Sequence, residues 1–228
     1  ARSAHAHARH NGPVSIDRST ALAELRAALG SAVSTDPAEL DAARADKSGQ
    51  RSAAAPLAIV HAETAEHVVA ALRVATRHRL PVVPRGAGTG LAGAAMAGAD
   101  RLVVSTMRMS RILEIDAADQ VAVVEPGVIV AELDAAAREH GLFYAPDPAS
   151  RAWASIGGTI ATGAGGLMCV KYGVTREAVL AVGVVLADGG RERFGHRTVK
   201  GVTGLDLTAL MVGSEGTLAF VADAVFRT

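Results

Sequence analysis

The spacing of apolar residues in the first half of the chain predicts a strand–helix–strand unit. Ala58–His61 forms a short apolar run, and Thr64 is placed to cap a helix that continues through Arg77. Leu80–Pro84 is a second strand-sized run, and Leu102–Ser105 is a third. This order predicts that the first two strands pair in parallel through a right-handed crossover.

The segment before this unit has helical spacing. Ser19 is placed to cap a helix over Ala21–Leu29, and Asp36–Arg44 is predicted as a second short helix. Ser48–Pro56 is small and polar, which is typical of a loop.

After Ser105 the pattern becomes that of hairpins with interspersed helices. Two apolar or alternating runs, Ile112–Asp116 and Val121–Glu125, are predicted to form a hairpin. The later elements are a helix at Val130–His140, a strand at Val179–Leu186 leading into a Gly-rich turn, a helix at Leu205–Val212 and a strand at Leu218–Arg227. The predicted fold class is therefore α+β, with a small parallel βαβ lobe followed by a larger mixed, largely antiparallel lobe.

The amino-acid composition argues against nucleic acid as a partner and against a membrane span. Lys plus Arg and Asp plus Glu are both 23, so no net charge attracts nucleic acid, and no apolar run reaches the roughly 20 residues of a membrane span. The single cysteine, Cys169, excludes an intrachain disulfide and fits a cytoplasmic protein. We interpret it as an inert thiol. His5, His7 and His10 lie in a terminal segment without fixed geometry, so we predict no metal site.

A glycine-rich block directly follows the second predicted strand. Gly88, Gly90 and Gly93 satisfy the G-x-G-x-x-G pattern of a Rossmann nucleotide site. That site needs a full helix after the third glycine, whereas only Ala94–Asp100 separate Gly93 from the next strand. The block is better explained as a loop that exposes backbone N–H groups to an anion, with Arg85 as a fixed positive charge.

A second glycine-rich block and several shorter turn-rich motifs follow along the chain. Together they resemble the vanillyl-alcohol oxidase, or p-cresol methylhydroxylase-type, FAD-binding family, and within it the branch of the glycolate oxidase catalytic subunit and FAD-linked D-lactate dehydrogenases. The motifs that carry the resemblance are Pro84–Leu91, Glu125–Gly127, Tyr144–Ser150, Ile156–Thr162, Cys169–Gly173, Thr198–Gly201 and Gly213–Leu218. The resemblance runs from about Asp46 to the end of the chain.

The resemblance implies a domain organisation. Residues 1–45 would be a leader with helices, and residues 46–228 would be the FAD-binding domain, with lobes at about 46–105 and 106–228 and FAD between them. The substrate domain of such enzymes would be missing from this chain, or a partner subunit would complete the site.

The resemblance also implies which residues bind FAD. The pyrophosphate would be wrapped by the first block, namely Arg85, Gly86, Ala87, Gly88, Thr89, Gly90 and Leu91. The ribityl chain and flavin would be lined by Pro146, Asp147, Ser150, Gly157, Gly158, Thr162, Gly165 and Gly166. The adenosine end would lie near Glu215, Gly216 and Phe220. Some relatives attach the flavin to a His in the first block; no His occurs in Pro84–Gly93, so we expect noncovalent FAD.

The sequence differs at two positions from the residues that are common in this branch of the family. Gly163 stands where Asn is common, and Leu205 stands where Tyr is common. The first removes a side chain near the flavin, and the second is expected to change only packing. We interpret Trp153 as a packing residue rather than one that stacks on the flavin.

The function implied is oxidation of a 2-hydroxy acid, such as D-lactate or glycolate, by hydride transfer to flavin N5, followed by transfer of electrons to an unknown acceptor. Two alternatives stay open at this point: a noncatalytic FAD-binding subunit of a multi-subunit oxidase, and a nicotinamide-dependent Rossmann enzyme. We identify no catalytic base in the sequence.

Overall fold

The computed structural model describes residues 17–228, so the His-containing leader at residues 1–16 lies outside it. The helices are α1 (Arg18–Leu29), α2 (Pro37–Ala42), α3 (Ala65–Arg77), α4 (Val130–Glu139), α5 (Ile156–Thr162), α6 (Cys169–Tyr172), α7 (Thr175–Ala178) and α8 (Leu207–Met211). The strands are β1 (Val33–Ser34), β2 (Ala58–His61), β3 (Val82–Arg85), β4 (Leu102–Ser105), β5 (Ile112–Asp116), β6 (Val121–Val124), β7 (Val179–Val185), β8 (Arg191–Gly195) and β9 (Phe220–Arg227).

The first sheet has the strand order β1-β2-β4-β3. Strands β2 and β3 both run parallel to β4, whereas β1 is antiparallel to β2. The prediction that β2 and β3 pair directly is therefore wrong, because β4 lies between them. The physical reason is that all four residues of β4 are buried, which suits a central strand. Strand β3 contains Pro84, which has no N–H to donate and is best placed at an edge.

Helix α1 packs on this sheet through α3. Leu25 and Leu29 share one core with Val68 and Leu72 of α3, so the N-terminal helix and the first sheet stabilise each other. The predicted cap of α1 is corrected: the carboxylate of Asp17, not the Ser19 hydroxyl, accepts the hydrogen bond from the backbone N–H of Thr20. Capping with Asp at this position extends the helix to Arg18.

The second sheet is antiparallel throughout, with the order β5-β6-β9-β7-β8. The predicted hairpin of β5 and β6 is confirmed. Strand β8 was missed because its residues, Arg191–Gly195, are mostly charged and exposed and give no apolar alternation. Phe226 of β9 and Tyr144 meet edge to face in the core of this lobe, with ring centroids 5.1 Å apart.

The two sheets meet where β9 begins. Val185, Phe220 and Ala222 of the second sheet belong to the same core as α3. A small sheet that is mostly parallel, joined to a larger antiparallel sheet, confirms the predicted α+β class. Within residues 17–228, no helix is both long enough and apolar enough to cross a membrane.

Candidate functional site

A cavity of about 900 Å³ lies where the two sheets meet. This volume is within the range of roughly 300–1,000 Å³ seen for small-molecule and cofactor sites. Three chain segments form its walls: the loop that follows β3, the segment around α5, and the turn that precedes β9. The cavity therefore collects residues from both lobes, which lie far apart in sequence.

The loop after β3 presents an unusual run of free hydrogen-bond donors. From Gly86 to Ala95, none of the ten backbone N–H groups donates a hydrogen bond to an atom of residues 17–228. Gly88 and Gly93 have φ of +69° and +83°, which favours glycine and turns the chain so that successive amides point in new directions. Backbone N–H groups arranged in this way form a binding concavity for an anion.

The side chain of Arg85 holds this loop in place. Its guanidinium donates to the carbonyl of Ala95 at 2.5 Å and to the carbonyl of Ala45 at 3.0 Å. Burial lowers the pKa of Arg85 below its usual value, and the charge of Asp46 opposes this. The sequence suggested that Arg85 offers its charge to an anion, but the structure shows the guanidinium bound to two backbone carbonyls, one at the far end of the loop and one in the segment after α2.

The second glycine block is partly helical rather than a loop. Gly157 and Gly158 lie in the first turn of α5, and the N–H of Gly157 donates to the carbonyl of Pro126 at 2.7 Å. A Cβ on Gly157 would lie only 2.7 Å from the Cβ of Pro126. Glycine at this position thus lets α5 approach the turn after β6, and this contact explains why the Glu125–Gly127 motif accompanies the glycine block.

The Ser155 hydroxyl lies between the two blocks. Ser155 is 1% exposed, and its Oγ has no hydrogen-bond partner among the described residues. A Cβ built on Gly86 would lie 2.2 Å from this oxygen, and one on Gly158 would lie 3.2 Å from it. Both glycines and Ser155 line the cavity.

Comparison with known proteins decides what kind of site this is. A family model described as FAD binding domain matches residues 56–195. The chain belongs to this family.

Several curated relatives are similar in sequence. The glycolate oxidase subunit GlcD of Bacillus subtilis is 43% identical over 172 residues, which cover 75% of this chain and 37% of that protein. The D-lactate dehydrogenase of Archaeoglobus fulgidus is 43% identical over 175 residues, covering 77% and 39%. The D-2-hydroxyglutarate dehydrogenase of Stutzerimonas stutzeri is 42% identical over 175 residues, covering 77% and 38%. The chain thus spans well under half the length of these relatives.

Solved structures share the fold. An alkyldihydroxyacetonephosphate synthase superposes with a TM-score of 0.80 at 22% identity, covering 92% of this chain and 40% of the other. A p-cresol methylhydroxylase superposes with a TM-score of 0.78 at 23% identity, covering 94% and 44%. The resemblance to the p-cresol methylhydroxylase type of fold, and to the glycolate oxidase and D-lactate dehydrogenase branch, is confirmed.

The cavity of this FAD-binding domain fits its cofactor chemically. The diphosphate of FAD needs hydrogen-bond donors, and nine of the ten residues of Gly86–Ala95, all but Gly93, line the cavity with backbone N–H groups that have no partner among residues 17–228. The apolar part of the cavity, formed by residues such as Pro126, Trp153 and Met211, suits a flavin or adenine ring. The residues that line the cavity and its backbone N–H donors thus fit the FAD that this family binds.

Most residues predicted from the sequence to bind the cofactor come together at this cavity. Those that line it are Arg85, Gly86, Ala87, Gly88, Thr89, Gly90, Leu91, Ser150, Gly157, Gly158, Thr162, Gly165, Glu215, Gly216 and Phe220.

Pro146, Asp147 and Gly166 do not line the cavity, and their contact with the cofactor stays a prediction. The carboxylate of Asp147 pairs with Arg151 at 3.0 Å, and the backbone of Asp147 packs directly on Gly166. Pro146 is buried beside them. These three residues shape the segment behind the wall instead of facing the cavity.

Sequence reasoning missed other lining residues, including Lys47, Pro126, Ser155, Met211 and Ser214. The Glu125–Gly127 motif could have indicated Pro126. The interpretation of Trp153 as a packing residue is wrong, because it is 67% exposed and lines the cavity. Gly163, where Asn is common, has left-handed backbone angles (φ +61°, ψ +42°) that both glycine and Asn adopt.

The carboxylate of Asp134 fixes the segment that leads to the cavity wall. It accepts hydrogen bonds from the buried N–H of Tyr144 at 3.1 Å and from Arg138 at 2.9 Å. Replacing Asp134 with Ala leaves the Tyr144 N–H without a partner, so we expect the free energy of unfolding to fall by about 1–3 kcal/mol.

Thermal unfolding of the ligand-free chain measures this effect. Asp134→Asn is the matched control, because its amide oxygen still accepts from Tyr144 and only the partly exposed ion pairs with Arg138 and Arg151 are weakened. We expect Asp134→Asn to keep most of the free energy of unfolding that Asp134→Ala loses. Equal losses in both variants would show that the ion pairs of Asp134, not its hydrogen bond to Tyr144, stabilise the chain.

Proposed function

We propose that this chain is the flavin-binding part of an FAD-dependent oxidoreductase that oxidises a 2-hydroxy acid such as glycolate or D-lactate. The observation that carries the cofactor part is the run of free N–H groups along Gly86–Ala95 at the cavity of an FAD-binding domain. The substrate class rests on the names of the relatives, a glycolate oxidase subunit and D-lactate and D-2-hydroxyglutarate dehydrogenases.

In this proposal each wall holds one part of FAD. The amides of Gly86–Ala95 and the Thr89 hydroxyl hold the diphosphate, the α5 wall with Ser150 and Gly165 holds the ribityl chain and flavin, and the turn at Glu215–Phe220 holds the adenosine. When bound, FAD supplies a hydride acceptor at N5 for the hydrogen on C2 of the hydroxy acid. The chain's own residues bind and orient the cofactor and exclude water from its buried side.

Few side chains that line the cavity could transfer a proton. The titratable lining residues within 17–228 are Lys47, Arg85 and Glu215, and Arg85 is engaged with carbonyls. We therefore propose that the general base and the substrate pocket come from a further domain or a partner subunit, because the relatives are more than twice as long as the matched segment. The lobes of the flavin-binding unit are proposed to divide near residue 105. The sequence predicts that the unit starts near residue 46, and because β1 pairs with β2 and α1 packs against α3, we propose that residues 18–34 pack as part of its first lobe. A cytoplasmic location stays a prediction.

We propose that FAD is held noncovalently. Among the described residues that line the cavity there is no His, Cys or Tyr whose side chain would form a bond to the flavin. Purified chain reconstituted with FAD is expected to show flavin absorption bands, and acid precipitation is expected to release all the flavin to the supernatant. Flavin retained in the pellet would contradict the noncovalent proposal, and a colourless protein after reconstitution would contradict FAD binding itself.

A noncatalytic flavin-binding subunit is the second candidate, favoured by the word subunit in the name of the Bacillus subtilis relative. Anaerobic addition of glycolate, D-lactate or D-2-hydroxyglutarate to the FAD-loaded chain separates the two. Bleaching of the flavin without any partner supports the enzyme. A flavin that none of the three acids bleaches supports the subunit, and bleaching that needs an added partner protein would show that the site is shared.

A further inference from the structure

A short loop that precedes the match to the family model contributes a cation to the cavity. The N–H of Ser52 donates to the carbonyl of Arg44 at 2.8 Å, and Ala45 bridges to Arg51, so the loop is closed at its base. Among residues 44–52, only Lys47 lines the cavity. The match to the FAD-binding family begins at residue 56, so this loop lies upstream of it.

The loop is held against the glycine-rich loop that follows β3. The carbonyl of Ala45 accepts a hydrogen bond from the guanidinium of Arg85 at 3.0 Å. Within the loop, the carboxylate of Asp46 accepts from the backbone N–H of Ser48 at 2.9 Å, which fixes the turn on either side of Lys47. The backbone that carries Lys47 is therefore anchored beside the free N–H groups of the glycine-rich loop.

The ammonium of Lys47 has no partner within the part of the chain that the structure describes. It forms no ion pair or hydrogen bond with residues 17–228, and its side chain is exposed. Arg51, on the same loop, differs because it pairs with the carboxylate of Asp41 at 2.5 Å and does not line the cavity. Lys47 is thus available to a ligand in the cavity, whereas Arg51 is already engaged.

The balance of charge around the cavity indicates what Lys47 would bind. The diphosphate of FAD carries a negative charge on each phosphate. Among the titratable lining residues within 17–228, Arg85 is bound to carbonyls with its charge offset by the nearby Asp46, and Glu215 is negative. Backbone N–H groups offer only partial charges, so a full positive charge beside them stabilises a bound anion further. Lys47 is the remaining cation in this set.

We infer that the Lys47 ammonium pairs with the diphosphate of the bound dinucleotide and supplies the positive charge that the amides of the glycine-rich loop lack. This inference rests on the proposed binding of FAD. It assigns a cofactor contact to a residue upstream of the matched family segment. It also makes part of the FAD affinity dependent on ionic strength, because salt screens an ion pair that is open to solvent.

The test removes the charge of Lys47 and measures FAD affinity by fluorescence quenching at two salt concentrations. Lys47→Met is expected to weaken FAD binding about fivefold at low ionic strength, the upper end for an exposed ion pair. In about 1 M salt, where charges are screened beyond about 3 Å, the loss is expected to fall below about twofold. Lys47→Arg keeps the charge and is expected to bind FAD like the unmodified chain.

Three further measurements separate this contact from a general effect on the loop. Riboflavin has no phosphate, so its affinity is expected to be the same for Lys47→Met and the unmodified chain. Arg51→Met removes a positive charge from the same loop, outside the cavity, and is expected to leave FAD affinity within about twofold. The melting temperature of ligand-free Lys47→Met is expected to stay unchanged, because Lys47 has no partner to lose.

Each contrary result overturns a defined statement. Unchanged FAD affinity in Lys47→Met at low ionic strength, or a loss that is the same at both salt concentrations, would overturn the ion pair. An equal loss in Arg51→Met would show that the integrity of the loop matters and not the Lys47 contact. Equal losses for FAD and riboflavin would show that the diphosphate assignment is wrong. Failure of the unmodified chain to bind FAD would instead overturn the proposed function.

Discussion

Replacing Arg85 with Met is expected to weaken FAD binding by about 100-fold, which corresponds to about 2.7 kcal/mol. Arg85, at the start of the cofactor loop, donates to the carbonyl of Ala95 at its far end and to the carbonyl of Ala45 in the segment after α2, and so ties the loop closed and to the rest of the fold. Hydrogen bonds from a charged group contribute about 1.5–3 kcal/mol each. Without them, FAD binding would have to order the loop from Gly86 to Ala95, and that conformational entropy reduces affinity.

Arg85→Lys decides whether Arg85 acts by its charge or by its geometry. Lys keeps the charge but cannot reach both carbonyls with a planar, forked group. We expect Arg85→Lys to lose nearly as much affinity as Arg85→Met. If Lys restored tight binding, the positive charge would be the important property, and the bracing role that we assign would be wrong.

Arg108→Met is a matched control for the loss of one positive charge. Arg108 is about half exposed and pairs with Glu63 rather than with the loop. The FAD affinity of Arg108→Met is expected to stay within twofold of that of the unmodified chain. Limited proteolysis without FAD gives a second readout, because Arg85→Met, but not Arg108→Met, is expected to accelerate cleavage within residues 86–95.

The contacts of Arg85 show what a sequence pattern does not record. The residue type and its place before a glycine run predicted that Arg85 offers its charge to an anion. Its actual partners are carbonyls of Ala45 and Ala95, 40 and 10 residues away in sequence, and no local pattern records such a contact. Ser155 was missed for a related reason, because a Ser before a glycine-rich helix looks like an ordinary N-terminal cap, whereas its lack of a partner is visible only in three dimensions.

The strand order illustrates the same limit for the fold. The runs at β2, β3 and β4 were visible from their apolar residues, and in β2 and β4 burial on both faces leaves a continuous hydrophobic signal. Their order was not, because consecutive strands usually lie side by side and β4 is inserted between β2 and β3. Pro84 was the available clue, since a proline favours an edge strand. The antiparallel lobe was easier to predict because its β5–β6 hairpin is local in sequence.

The glycines divide into two groups that the sequence cannot separate. Gly86 and Gly88 line the cavity, whereas Gly166, which the family resemblance implies to be near the flavin, does not. In the structure, a Cβ on Gly166 would lie 1.6 Å from the carbonyl oxygen of Asp147 and 2.8 Å from the backbone nitrogen of Pro148. Glycine is needed at position 166 because two backbone segments touch there. A Cβ added at Gly166 should therefore destabilise the fold, whereas one added at a glycine with open space should not.

Gly166→Ala is expected to lower the free energy of unfolding by about 3 kcal/mol, at the upper end for overpacking because the clash is with main chain that no side-chain rotation relieves. For a domain of this size, that loss lowers the melting temperature by roughly 6–12 °C. Gly90→Ala is the matched control: its Cβ would meet nothing closer than a methyl group of Thr162 at 3.9 Å. We expect Gly90→Ala to melt within about 2 °C of the unmodified chain or slightly above it, since Ala restricts the unfolded chain. If Gly166→Ala melted like Gly90→Ala in the absence of FAD, the close contact between Gly166 and Asp147 would be wrong, and a role for Gly166 at the cofactor would have to be considered again.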